Sequence, residues 1–108
     1  MGDLQRGRLL TSVEAPPTGE RFDTVIQSGT LRIEQILSGA EVEPVEYLHV
    51  EDEWVMVLSG SATLEVDGAD VVLDALDWVF LSAGAPHRVA KVEPGTTWLA
   101  VHHLNPPA

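Results

Sequence analysis

The chain is 108 residues long, has no cysteine, and carries 17 acidic against 6 basic residues, for a formal net charge of −11. A single domain of that length buries roughly two-thirds of the surface its unfolded chain exposes, enough for a core without staples. The missing cysteine excludes disulfides and thiolate chemistry, and so acidic a surface repels phosphate backbones and anionic membranes, so neither nucleic acid nor membrane is an expected partner.

The first twenty residues, MGDLQRGRLLTSVEAPPTGE, contain no apolar stretch of signal-peptide or anchor length. The expectation is a soluble, cytoplasmic protein forming one domain over residues 1–108, with residues 1–20 as a partly flexible N-terminal arm. Ala15-Pro16-Pro17-Thr18-Gly19 cannot sit in a regular ladder. Beyond the first dozen residues no stretch combines apolar three-four spacing with caps at both ends, so no long helix is predicted. Short β-rich runs follow instead, each fenced by Gly, Pro, Asp or Asn. Strands are predicted at Phe22–Ile26, Thr30–Leu37, Val45–Val50, Glu53–Leu58, Ala62–Val66, Val71–Leu73, Trp78–Leu81, His87–Val92 and Thr97–His103. Asp67-Gly68 is a strong hairpin signal, because both residues tolerate the positive φ of the favoured turns. Asn105-Pro106-Pro107-Ala108 ends the chain as a short tail after residue 103. Many short strands with almost no helix point to an all-β sandwich or barrel.

In Trp54-Val55-Met56-Val57-Leu58 and in Trp98-Leu99-Ala100-Val101 both faces of the strand are apolar. Such strands are covered on both sides. One side is the interior; the other lies under the folded-back N-terminal segment or under a second subunit. A homodimer is an economical cover and is the expected assembly.

The polar residues that could carry chemistry fall on these strands. Side chains two apart share a face, so Tyr47 and His49 point together, and Glu53 opens the next strand. His87 opens a strand after Ala83-Gly84-Ala85-Pro86; His102 shares a face with Trp98 and Ala100. Imidazoles and a carboxylate with open positions suit iron(II) and also accept zinc, manganese, nickel or copper. Set against this, His49, Glu53 and His87 could line a pocket without metal, with Arg32, Arg88 or Lys91 neutralising Glu53. His102 could be a satisfied core histidine and Tyr47 a pocket wall. The tryptophans at 54, 78 and 98 read as packing residues, Asp77 as structural, and His103 as surface or interface.

From Gly39 to Lys91 the chain resembles the cupins, small jelly-roll β-barrels. Their first motif runs Gly, five residues, His-x-His, three or four residues, Glu, six residues, Gly; His49, Glu53 and Gly60 match its second half. Their second runs Gly, five residues, Pro-x-Gly, two residues, His, three residues, Asn; Gly84 and His87 match its centre. Tyr47 replaces the first motif histidine, Leu76 the second motif's leading glycine, Ser82 its proline and Lys91 its asparagine. Glu51-Asp52-Glu53-Trp54-Val55, with Trp98-Leu99-Ala100-Val101-His102, is similar to small stand-alone prokaryotic cupins of unassigned function. The resemblance implies an all-β, single-domain jelly-roll barrel with a divalent metal on His49, Glu53 and His87. His102 could supply the nitrogen that Tyr47 does not, and Tyr47 and His102 are candidate catalytic groups. The implied function is binding, or acting on, a small organic molecule in the barrel, with isomerase, lyase and dioxygenase chemistry all open. The alternative is a metal-free ligand-binding or sensor protein without catalysis.

Overall fold

Eight strands form where the sequence alternates between apolar and polar residues, in a computed structural model that describes residues 2, 4–42 and 50–104. They are β1 (Glu20–Ser28), β2 (Leu31–Ser38), β3 (Asp52–Ser59), β4 (Ser61–Val66), β5 (Ala69–Asp74), β6 (Trp78–Leu81), β7 (His87–Val92) and β8 (Thr97–His103). The one short helical element among the described residues is a 3-10 turn at Ser12–Glu14. No helix among them is long and apolar enough to cross a membrane. The expected strand at Val45–Val50 lies outside the described residues except for Val50, which sits in a bend; the tail from residue 105 also lies outside them.

All strand pairings within the two sheets are antiparallel. The larger sheet runs β1-β2-β8-β3-β6 and the smaller β5-β4-β7. Their inner faces meet in a core of Val55, Val57, Ala62, Leu64, Leu73, Leu81, Trp98 and Ala100. In β3, Glu53, Val55 and Val57 point inward while Trp54, Met56 and Leu58 stay half-buried on the other face. This alternation locks the register, because a slip of one residue would move every inward side chain to the outer face. Each fully buried Leu or Val contributes roughly 1.5–3 kcal/mol.

Two turns set the strand order. Asp67 and Gly68, at φ of 50° and 83°, join β4 to β5 with Val66 facing Ala69. Positive φ at both central residues is the turn whose twist matches that of the strands it joins. Gly60, at φ 92°, joins β3 to β4, and there a Cβ would stand 2.3 Å from Thr96 Oγ1.

The N-terminal arm folds back over part of the larger sheet. The Leu10 amide donates to Gln35 Oε1 at 2.8 Å, and Gln35 Nε2 donates to the Leu10 carbonyl at 2.8 Å. Gln35 is thereby buried with both ends of its amide satisfied. The same outer face continues across Leu99 and Met56 to Trp78, and in the next row from Ile33 through Val101 and Trp54 to Phe80. Trp78 and Phe80 remain 59% and 57% exposed on β6. The expectation that all three tryptophans are packing residues therefore holds for Trp98 and fails for Trp78. Among the described residues Trp78 lies on an edge strand, where its ring makes a tilted contact with Trp54, ring centres 6.1 Å apart.

Candidate functional site

The register of the larger sheet puts Arg32, His102, Glu53 and Leu81 side by side in one row across β2, β8, β3 and β6. The row faces inward, because Val55, Ala100 and Trp98 on the same faces of β3 and β8 are core residues. One pleat along β2, Glu34 points the same way. From the smaller sheet, His87 and Val89 on β7 and Leu64 on β4 complete the opposite wall of a cavity of about 120 Å³. Its polar lining comes from Glu20, Arg32, Glu34, Glu53, His87 and His102. The row is apolar only at Leu81, so the inner face carries a strip of charge set into an otherwise hydrophobic wall.

Glu53 and His87 are both buried, 7% and 8% exposed. Glu53 Oε2 and His87 Nε2 stand 3.8 Å apart, too far for a direct hydrogen bond. His87 Nδ1 lies 3.1 Å from the Ala85 carbonyl, which can only accept, so this nitrogen carries a proton. In the neutral ring Nε2 then presents its lone pair toward the Glu53 carboxylate. Two acceptors converging in a buried place is the arrangement a cation satisfies. Donors each about 2.1 Å from one metal at tetrahedral angles are about 3.4 Å apart, so the pair needs only a few tenths of an ångström of adjustment.

His102, 3% exposed, sits beside Glu53 in the row but addresses other carboxylates. Its Nε2 is 3.7 Å from Glu34 Oε1 and its Nδ1 is 3.7 Å from Glu51 Oε1. Arg32 Nη2 approaches the same Glu51 oxygen at 3.7 Å. At the other end of the cavity the indole N–H of Trp98 donates to Ser38 Oγ at 3.0 Å, and Ser38 Oγ donates to Glu20 Oε2 at 2.9 Å. Burial pushes the Glu20 carboxyl above its ordinary value, and the Ser38 hydroxyl partly offsets that.

Of the sequence-predicted residues, Glu53 and His87 are brought together, with His102 adjacent. His49 and Tyr47 lie outside the described residues. Among the described residues no three His, Asp or Glu side chains are grouped closely enough to share a metal ion. Arg88 is engaged with Glu65 at 2.6 Å, paired across β4 and β7 away from Glu53, and Lys91 is exposed. Asp77 is structural, as expected: its Oδ2 accepts from the Asp74 amide at 2.9 Å. Sequence reasoning passed over Glu20, Glu34 and Ser38. Their signal was period-two spacing, since Arg32, Glu34, Ile36 and Ser38 share one face, but only the pairing with β8 shows that this face is the inner one.

The fold agrees with what is found in known proteins. The profile of the cupin domain family matches residues 32–102. A crystal structure from Ralstonia eutropha JMP134, described as a candidate mannose-6-phosphate isomerase, is 37% identical over 94% of this chain and 100% of its own, with a TM-score of 0.78. An RmlC-like cupin from Desulfovibrio desulfuricans is 19% identical over 94% of this chain and 97% of its own, with a TM-score of 0.78. An RmlC-like cupin from Shewanella frigidimarina NCIMB 400 is 17% identical over 94% of each chain, with a TM-score of 0.73, and like the preceding one it speaks to the fold alone. No functionally curated protein matches the sequence. With two packed antiparallel sheets, an inward row of histidine and glutamate, and both the family profile and a 37%-identical structure in agreement, the chain belongs to the cupin family.

Proposed function

We propose that Glu53 and His87, together with His49, hold a divalent metal ion, and that the protein binds and acts on a small organic molecule in the adjoining cavity. The observation that carries this reading is the convergence of Glu53 Oε2 and the His87 Nε2 lone pair at 3.8 Å in a buried wall. Imidazole and carboxylate donors fit iron, zinc, manganese, nickel or copper. Such an ion supplies a Lewis acid for a carbonyl oxygen or for bound water. The chain's own residues do the remaining work. The Ala85 carbonyl fixes the tautomer and orientation of His87. Trp98, Ile36, Leu64 and Val89 exclude water from one side of the ligand. His102, at a cavity wall between Glu34 and Glu51, would act with Tyr47 to move a proton. That the 37%-identical relative is described as a candidate mannose-6-phosphate isomerase supports small-molecule chemistry.

Elemental analysis of untagged protein tests the site. The expected result is a stoichiometric transition metal in the wild type, lost in His87→Ala and Glu53→Gln. No metal in any of them, with no rise in melting temperature on adding divalent ions, would replace this reading by a metal-free ligand-binding protein.

The outer face also supports a homodimer. Trp78 and Phe80 are exposed beside half-buried Trp54, Met56, Leu99 and Val101. The centre of this patch carries no charge, as a self-complementary interface between two copies requires. A monomer by light scattering, unaltered in mass by Trp78→Lys, would remove the dimer.

A further inference from the structure

We propose that the cavity's ligand carries a carboxylate and that Arg32 receives it. This rests on the reading of the cavity as a ligand site, though not on the metal. Among the described residues that line the cavity, Arg32 is the one lysine or arginine; the other charged walls are Glu20, Glu34 and Glu53. Arg32 is therefore the one permanently cationic side chain in this lining that can meet an oxyanion. Arg32 is held in the row beside His102 by its pairing across β2 and β8, with its side chain 29% exposed. Its Nε is buried and has no hydrogen-bond partner among the described residues. Its Nη2 meets Glu51 at 3.7 Å, an ion-pair distance longer than a hydrogen bond. The guanidinium is thus neutralised in charge but underused as a donor.

A buried donor left unused is costly, so one that persists in a cavity wall is matched by something that enters the cavity. Arginine offers parallel N–H donors in a rigid planar fork, and the two oxygens of a carboxylate fit that fork bidentately. A neutral carbonyl uses one donor and leaves the other. The surrounding carboxylates add selectivity: they repel a second negative charge, so a monoanion is favoured over a dianion. Size gives a further limit. A cavity of about 150 Å³ admits benzene, so a space of about 120 Å³ suits a molecule of some four to six heavy atoms with its carboxylate at Arg32.

The test is a titration of the full-length protein at pH 7, followed through the arginine Nε–H signals in 1H–15N spectra, with Arg32→Lys assigning the Arg32 resonance. Probes are acetate and pyruvate, their neutral analogues acetamide and pyruvamide, and inorganic phosphate. The expected result is a saturable shift of the Arg32 signal with the two carboxylates and none with the amides. Arg32→Lys, which keeps the charge and loses the fork, should weaken carboxylate binding at least tenfold. An Arg32 signal that ignores the carboxylates, or that moves equally with the amides, would overturn the proposal, as would a response to phosphate alone. Metal content measured on the same samples separates the two readings. A metal-loaded protein with a silent Arg32 removes only the carboxylate, and a metal-free protein with a responsive Arg32 removes only the metal.

Discussion

The indole N–H of Trp98 donates to Ser38 Oγ across 60 residues of sequence, and the hydroxyl passes the connection on to Glu20. Ser38 is fully buried and Trp98 nearly so. This short chain of donors ties β1, β2 and β8 together at the end of the cavity away from His87. Ser38→Ala should strand the indole N–H without an acceptor and cost about 1–3 kcal/mol. Urea denaturation monitored by tryptophan fluorescence measures it, and a loss below about 0.5 kcal/mol would mean that water replaces the hydroxyl at no cost.

Glu20 gives a pH signature. Its folded-state pKa is raised above the ordinary 4.5 by burial. The folded state therefore favours the protonated form. That contribution is fully present below the unfolded value and is lost as pH rises through the folded value. Glu20→Gln mimics the protonated form at every pH and can still accept from Ser38. The variant should melt above wild type at pH 7, and the gap should close at pH 4 and below. A gap that widens on acidification would reverse the assigned direction.

Gly60→Ala should be strongly destabilising. The residue sits at φ 92°, and its new Cβ would lie 2.3 Å from Thr96 Oγ1 and 2.9 Å from Thr96 Cα. Left-handed backbone costs a non-glycine residue about 1–2 kcal/mol, and overpacking typically adds about 1–3 kcal/mol. A chemical denaturation midpoint lowered by the equivalent of about 2–5 kcal/mol is expected. A near-neutral variant would show that the Thr96 loop yields.

Leu76 is the opposite case. It holds φ 75° and is 70% exposed, so it bears left-handed strain without a full packing return. Leu76→Gly should relieve about 1–2 kcal/mol of strain while adding about 0.5–1 kcal/mol of unfolded-state entropy. The net expectation is a gain of up to about 1.5 kcal/mol, read as a higher melting temperature. A lower one would show that the leucine side chain contributes more packing than its exposure suggests.

Glu53→Gln should weaken Mn(II) binding by at least tenfold in a calorimetric titration, because an amide oxygen lacks the charge that holds a hard cation. Circular dichroism should be unaltered, since the glutamine can fill the same volume. Equal affinity in both proteins would move the metal away from Glu53.

Much of the architecture was legible in the residues themselves. Period-two alternation marked strands at β1 through β8, and Asp67-Gly68 announced its hairpin, because strand period and turn chemistry are local properties of the chain. The spacing of His49, Glu53, Gly60, Gly84 and His87 resembles the cupin motifs. What only the tertiary structure decided was which faces meet. Arg32, His102 and Glu53 are consecutive neighbours in one row, yet 70 residues separate the first from the second along the chain. Alternation states that Arg32 and Glu34 share a face, but it cannot say whether that face is the wet or the dry one. Nor could it tell that the N-terminal arm would spend itself on Gln35 and leave Trp78 uncovered. Register between distant strands is set by the fit of two whole sheets, and that long-range packing is the one quantity a local pattern does not encode.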